Sequence, residues 1–438
     1  MKYSKYPSYK DSGVEWLGEI PEGWKARRLK TILEERKEKN NPIKTKNILS
    51  LCMYRGVIPY SEKGNSGNKA KDDLTAYKLA YPNDIVLNSM NVVAGSVGLS
   101  KYFGAVSPVY YMLHPRKSSD NIVYYNAIFQ SESFQKSLIG LGNGILVKQS
   151  EKTGKLNTIR MKISMGSLNN VLMPIPPLQE QKAIATYLDR ATQKIDTLIA
   201  KQSSLIALLK EKRQALISHA VTKGLDNQNA DWTNYRLDWV STIIRGNTGF
   251  KKDELKNSGD YVALQYGKTY KVDEVNQAFN FYVNSEFYKH KQLVHKGDTI
   301  LISTSETVED LGHSCFYNRD DLGLIGGEQI LLKPNVELIY DKYFYYSSKV
   351  FCKELKKYAS GLKVFRFNID DLKNIFISIP SVEEQEAISD YIDQKTKKID
   401  TLITKATEAI TLLKEKRTAL ISAVVTGKVD VRSISNEN

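Results

Sequence analysis

The strongest constraint on the fold is a long internal repeat. From Pro174 to Thr222, and again from Ser378 to Thr426, the sequence runs at a constant spacing of 204 residues without a gap, and about 29 of the 49 positions are identical. The stretch "LLKEKRQALIS" begins at Leu208 and "LLKEKRTALIS" at Leu412. Each copy opens on proline, "PIPPLQEQ" or "SIPSVEEQ", a residue tolerated just before or in the first turn of a helix. Each then continues without Gly or Pro to "AVTKG" or "VVTGK", where glycine closes a helix.

Heptad spacing runs through both copies. In the first, Leu188, Ile195, Gln202, Leu209 and Leu216 share one seam position, and Ile184, Ala191, Leu198, Leu205 and Lys212 the other. In the second, Ile392, Ile399, Ala406, Leu413 and Leu420 stand against Ile388, Lys395, Leu402, Ala409 and Lys416. Burying a leucine stabilises by roughly 1.5 to 3 kcal/mol, so two such stripes are expected to pair with each other rather than face water. A helix of about 43 residues is roughly 65 Å long. Only "KGLDNQNAD" lies between Thr222 and Trp232, and that segment spans at most about 30 Å. The second globular region is therefore expected to start near the far end of the first helix. The second helix must then run back along the first, in an antiparallel pair with a globular region at each end.

The globular regions have similar ends and dissimilar middles. "EGWKARRLK" near Trp24 parallels "ADWTNYRLD" near Trp232, and "SLNNVLMPIP" from Ser167 parallels "DLKNIFISIP" from Asp371. Strand-like runs such as "NDIVLNS" and "GDTILIS" precede one aromatic-rich helical stretch in each, "YYNAIFQSESFQKSLIG" and "YDKYFYYSSKVFCKELKKYASG". Matching ends around divergent middles keep one scaffold while presenting two different surfaces.

A formal net charge of +14 over 438 residues draws the chain toward polyanions, with nucleic acid the leading candidate. Three cysteines (Cys52, Cys315, Cys352) and five histidines are too scattered for a CxxC or HExxH set, and free cytosolic thiols are expected. The start lacks the apolar run of an export signal, and no stretch of about 18 apolar residues appears, so the expected location is the cytoplasm, with no membrane partner.

Catalytic patterns fail on inspection. "GLGNG" (Gly140 to Gly144) follows a helical stretch and does not open a helix, and "GKT" at Gly267 has Val262 where a P-loop needs glycine. The only Pro-Pro, in "IPPL", lacks the flanking residues of an amino-methyltransferase motif. No nuclease carboxylate cluster or Ser/His/Asp arrangement can be proposed. The chain is expected to be non-catalytic, with no cofactor-binding, metal or catalytic residues of its own.

For nucleic acid, basic, aromatic and amide residues interleave in expected loops. In the first region these are Tyr54, Arg55, Tyr60, Lys63, Asn88, Ser89, Asn91, Lys148, Gln149, Lys155, Arg160 and Lys162. In the second they are Gln265, Tyr266, Lys268, Tyr270, Ser303, Thr304, Ser305, Glu306, Lys363 and Arg366. Lys and Arg neutralise phosphates, which gives affinity; Asn, Gln, Arg, Ser and Thr can read base edges, which gives specificity.

The leader "YKDSGVEWLGEIPEGW", the two "IPPLQEQ" or "IPSVEEQ" segments leading to "KIDTLI", and the two "LLKEKR.ALIS...VT" endings together resemble the DNA-specificity (S) subunits of type I restriction-modification enzymes, over essentially the whole chain. The second region departs in lacking a full copy of the leader. The resemblance implies an α+β chain with two pseudo-symmetric mixed α/β target-recognition domains, residues 1–173 and 226–377. Two long helices forming an antiparallel coiled coil, residues 174–225 and 378–430, separate them, and a tail follows at 431–438. It also implies that each domain reads one half of a bipartite, asymmetric site in double-stranded DNA. Two methyltransferase (M) subunits using S-adenosylmethionine would dock on the helices, and motor-nuclease (R) subunits using ATP and magnesium would complete the complex. The "KEKR" charges are expected to flank the seam. The length of the helices bounds the gap between half-sites at roughly 19 base pairs. The alternative from another class is a coiled-coil scaffold whose terminal domains bind proteins.

Overall fold

The structure is a computed structural model that describes residues 4–52, 55–64, 69–145, 160–226, 231–306, 311–361 and 364–432. The chain forms two compact units, one of residues 1–203 and 408–438, the other of residues 204–407. The division cuts through both long helices, so each unit owns part of each helix as well as its own sheets.

In the first unit a four-stranded antiparallel sheet has the order Leu33–Arg36, Tyr110–Pro115, Ile85–Asn88, Val97–Leu99. The helix Ile122–Gln130 supplies Tyr124, Tyr125, Ile128 and Phe129 to the core. Asn121 caps this helix, its side chain accepting from the N–H groups of Val123 and Tyr124, a cap contributing about 1 kcal/mol. In the second unit a five-stranded sheet runs Ser241–Arg245, Gln329–Pro334, Thr299–Ile302, Ser314–Tyr317, Glu274–Val275, beside a four-stranded sheet centred on Tyr261–Leu264 and Gly323–Ile325. Its helix Asp341–Leu355 buries Tyr343, Phe344, Phe351 and Leu355. The similar ends of the two regions become the same structural device. Lys25–Arg28 pairs antiparallel with Leu172–Ile175, and Thr233–Arg236 pairs antiparallel with Phe376–Ile379. Each unit is thus closed by a strand pair whose outgoing strand leads straight into a long helix.

Those helices run Leu178–Lys223 and Val382–Val425, 46 and 44 residues, each starting within two residues of the expected prolines. Both end on the expected glycine: Gly224 and Gly427 have φ of +73° and +75°, a left-handed conformation that costs other residues more. Within the first unit, Ile184, Leu188 and Ile195 of the first helix share a core with Leu420, Ile421 and Val424 of the second. Within the second unit, Ile217, Ala220 and Val221 share a core with Ile388 and Ile392. In both, the start of one helix lies against the end of the other, so the pairing is antiparallel as expected.

One expected seam needs correction. The positions Leu188, Ile195, Gln202, Leu209 and Leu216, and Ile392, Ile399, Ala406, Leu413 and Leu420, are buried or half-buried. The companion seam holds at Ile184, Ala191, Ile388 and Ala409, which are buried or half-buried, but elsewhere it is shifted by one residue. It passes through Thr192, Ile199, Ile206, Arg213 and Ala220, and through Thr396, Ile403, Ile410, Arg417 and Val424. Leu198, Leu205 and Leu402 point to solvent, at 48%, 43% and 51% exposure. A period of 3.5 is satisfied by a step of three then four or of four then three, and the sequence places Leu198 beside Ile199 and Leu205 beside Ile206. Periodicity alone does not choose between them. The arginines explain part of the choice, because Arg417 on the shifted seam donates from Nε to Asp196 (2.9 Å) and Arg213 lies 3.0 Å from Asp400. The "KEKR" and "KIDTLI" motifs are therefore two halves of one ion pair, made once in each unit, with the arginine in the seam rather than flanking it.

Candidate nucleic-acid interface

In the first unit, four of the expected loop residues meet at one concavity of about 610 Å³, lined by Tyr60, Lys63, Asn88 and Asn91 together with Lys69 and Tyr110. The strand Ile85–Asn88 leads into it, and a tight turn follows: Asn88 Oδ1 accepts the Met90 N–H (3.0 Å), and Gly95 at φ +81° ends the short turn Val92–Ala94. Lys63 sits with Nζ 5.1 Å from the centre of the Tyr60 ring. Strand Arg160–Ile163 abuts this turn, since the Ile163 N–H donates to the Ser89 carbonyl (3.0 Å), and it carries the exposed Lys162 alongside.

Two expected readers in this unit are placed otherwise. Ser89 is buried and its hydroxyl donates to the Val109 carbonyl (2.8 Å), so it holds the turn instead of offering a free donor. Arg55 lies 3.4 Å from Glu62 and lines a different cavity, one bordered by Asp189, Thr192 and Arg417 of the long helices. Tyr54, Lys148, Gln149, Lys155 and the side chain of Arg160 lie outside the described residues. Lys69 belongs to the same basic loop as Tyr60 and Lys63, whereas Tyr110 was not expected; a strand tyrosine gives no local signal, and only the fold brings it to the Asn88 turn.

In the second unit the segment Gln265–Tyr270 forms one helical turn, Tyr266–Thr269. Tyr266 and Tyr270 stack with ring centres 5.7 Å apart, and Lys268 Nζ lies 4.2 Å from the centre of the Phe281 ring. Thr269 Oγ1 donates to Gln329 Oε1 (2.7 Å), tying this turn to the head of strand Gln329–Pro334. The Ser303 N–H donates to the Glu328 carbonyl (3.3 Å) just before that strand, so the "STSET" segment converges on the same place. Thr304–Ser305 pairs antiparallel with Phe365–Arg366, which brings Arg366 in as well. Ser303, Thr304 and Ser305 are buried, however, and act as the ladder beneath the surface, whereas Glu306, Tyr270 and Arg366 are exposed on it. Lys363 lies outside the described residues.

The helix starts contain residues that sequence reasoning passed over. In the first unit, buried Glu180 accepts from Trp24 Nε1 (3.0 Å) and from the Tyr6 hydroxyl, and burial together with that bond raises the Tyr6 pKa well above the phenol range. Its neighbour Gln181 donates to the Pro176 carbonyl (3.0 Å) and accepts from the Asn121 N–H (3.3 Å). The second unit repeats both: Glu384 accepts from Trp232 Nε1 (3.2 Å), and Gln385 donates to the Pro380 carbonyl (3.0 Å) and accepts from the Tyr340 N–H (2.7 Å). The "QEQ" and "EEQ" of the motif thus bolt each long helix to the recognition-unit helix and to the entering strand pair.

The second unit adds an ionic network. Arg213 reaches Asp273 (3.2 Å) as well as Asp400, and Lys349 reaches Asp273 (2.7 Å) and the Ser314 carbonyl (2.6 Å). Burial pushes the Asp273 carboxyl up, but Lys349 and Arg213 outweigh it and hold it below the usual carboxylate range. Burial pushes the Cys315 thiol up to about 12 and Cys352 higher still, making both poor nucleophiles, and all three cysteines are free. Among the described residues no cluster of three or more His, Cys, Asp or Glu is placed to hold a metal ion, and no helix is long and apolar enough to cross a membrane.

The protein-family model described as "Type I restriction modification DNA specificity domain" matches this chain twice, over residues 21–207 and 229–412. The chain is 24% identical over 460 residues to the putative type I restriction enzyme MjaX specificity subunit of Methanocaldococcus jannaschii, covering 99% of each. It is 23% identical over 291 residues to the type I restriction enzyme EcoBI specificity subunit of Escherichia coli, covering 61% of this chain and 60% of that one. A solved structure described as "Structural basis underlying complex assembly and conformational transition of the type I R-M system" superposes with a TM-score of 0.68 at 15% identity, covering 93% of this chain and 98% of the other, and so shares its fold. With two matches that together cover well over half of its length, the chain belongs to the type I restriction-modification DNA specificity family.

Proposed function

We propose that this chain is the DNA-reading subunit of a type I restriction-modification complex, non-catalytic in itself and acting in the cytoplasm. The observation that carries this reading is the doubled architecture. Two units share one closing strand pair and one helix attachment but present different surfaces, the Asn88 concavity in one and the Tyr266–Arg366 surface in the other. Two unlike readers on a repeated frame suit a bipartite, asymmetric site in double-stranded DNA, with the long helices setting the gap. The net charge of +14 supplies sequence-independent affinity for phosphates.

The outward leucines support docking of two copies of a methyltransferase subunit. Leu198 and Leu402 occupy equivalent places in the two copies of the repeat, as do Leu208 and Leu412, at 63% and 65% exposure. Exposed leucine repeated in this way offers two like apolar seats. S-adenosylmethionine would be bound by those subunits, and ATP with magnesium by motor-nuclease subunits. Long-read methylome sequencing with and without the gene tests the whole reading: a bipartite adenine-methylation motif should vanish with the gene. Deleting one heptad from both helices should change the gap in that motif and leave the bases of each half-site as they were. A motif of unchanged spacing would refute the role of the helices.

A further inference from the structure

The Asn88 concavity differs chemically from three other cavities among the described residues. Those three contain carboxylates: Asp273 in one, Asp189 and Asp196 in the second, Glu132 in the third. Among the described residues the Asn88 concavity has none, and Lys63 and Lys69 are part of its lining. Its electrostatics therefore favour a guest that presents hydrogen-bond acceptors.

The orientation of the Asn88 amide sharpens this. The Met90 N–H requires an acceptor, so Oδ1 must face it (3.0 Å), and Nδ2 is left as the group to offer. Among the described residues Nδ2 makes no hydrogen bond. Asn88 is itself fixed at the end of a buried strand by the Ser96 carbonyl, which accepts its backbone N–H (3.0 Å), so the donor is held before any ligand arrives. Met90 and Val109, at 40% and 41% exposure, form apolar shoulders on the same concavity. In the DNA major groove guanine presents two adjacent acceptors, N7 and O6, whereas adenine pairs an acceptor with a donor and cytosine presents a donor. Thymine presents a single acceptor, O4, beside its methyl group, so a lining of donors without a carboxylate among the described residues fits the paired acceptors of guanine best and opposes adenine and cytosine.

We propose that this concavity reads a guanine in the half-site of the first unit, with the Asn88 amide donating to its acceptor edge and thereby fixing the base at that position. The inference rests on the DNA-reading function proposed above.

The test uses the chain assembled with its methyltransferase subunits and duplexes carrying the methylated motif. Each guanine of the first half-site is replaced in turn by 7-deazaguanine, which lacks the N7 acceptor. Binding is expected to fall about tenfold or more at one such position. The Asn88→Asp variant keeps the acceptor for Met90 but loses the donor, and Asn88→Ala loses both. Either variant is expected to abolish discrimination between guanine and 7-deazaguanine there, while the second half-site is read as before. A first half-site without guanine would overturn the proposal, and so would 7-deazaguanine tolerated at every position. Discrimination that survives in both variants would remove Asn88 from the role. If the intact complex selects no bipartite motif at all, the DNA-reading function itself fails, a result distinct from all three.

Discussion

Glu180 is the residue on which the first unit's helix attachment turns. It is buried with the Trp24 indole and the Tyr6 hydroxyl both directed at it, so truncating it leaves two buried donors without an acceptor. Glu180→Ala is expected to destabilise the first unit by about 2 to 4 kcal/mol, with the equivalent Glu384→Ala milder because Trp232 is only half-buried; thermal unfolding of the two variants checks the order. Asp273 gives a pH signature. Its carboxyl is held below the ordinary range in the folded chain, so in the acid region the unfolded chain binds this proton more readily. Its contribution is present above about pH 4 and fades as pH falls through the lowered folded value. Asp273→Asn should therefore cost about 1 kcal/mol at neutral pH and flatten the acid limb of the stability curve, read from urea midpoints between pH 3 and 7. None of this was legible from composition. Glu180 and Gln181 stand in plain sight within "PLQEQ", but a helix-entry motif gives no hint that its polar residues turn inward, because their partners Trp24 and Asn121 are brought up only by the fold.

At the scale of elements, the repeat made both long helices and their direction readable. Length, the proline entry, the glycine exit and the short connector each limited the choices, and the antiparallel packing within each unit follows. What the heptads left open was the companion seam, where adjacent Leu and Ile each fit the period. The consequence is measurable. Ile399→Ala empties a buried seam position and should cost about 2 to 4 kcal/mol, whereas Leu402→Ala should leave stability within about 0.5 kcal/mol and weaken co-purification with the methyltransferase subunit. The loops divide similarly. Sequence pattern pointed to the Asn88 turn and the Tyr266 turn, but it did not separate the exposed candidates for base contact from the serines packed beneath them. Ser89, Ser303, Thr304 and Ser305 have the composition of a reading loop and the burial of a scaffold. A hydroxyl serves either purpose, and only the backbone path decides which.

At the scale of the whole molecule, excess positive charge and a family-wide fold agree on DNA. Affinity for any duplex should fall steeply with salt, and the slope of log K against log salt should be reduced by about one for each phosphate-contacting lysine removed, with Lys162→Gln the first to measure by fluorescence anisotropy. The last described residues carry a different lesson. Val429 and Val431 are buried in the first unit's core, the Asp430 N–H donates to the Ser4 carbonyl (2.9 Å), and Arg432 lies 4.8 Å from the centre of the Tyr6 ring. Synthesis makes residues 204–407, the whole of the second unit, before it reaches this closing segment of the first. The core begun earlier is therefore sealed later, and its amino-terminal part stands open along one side while the other unit is being made.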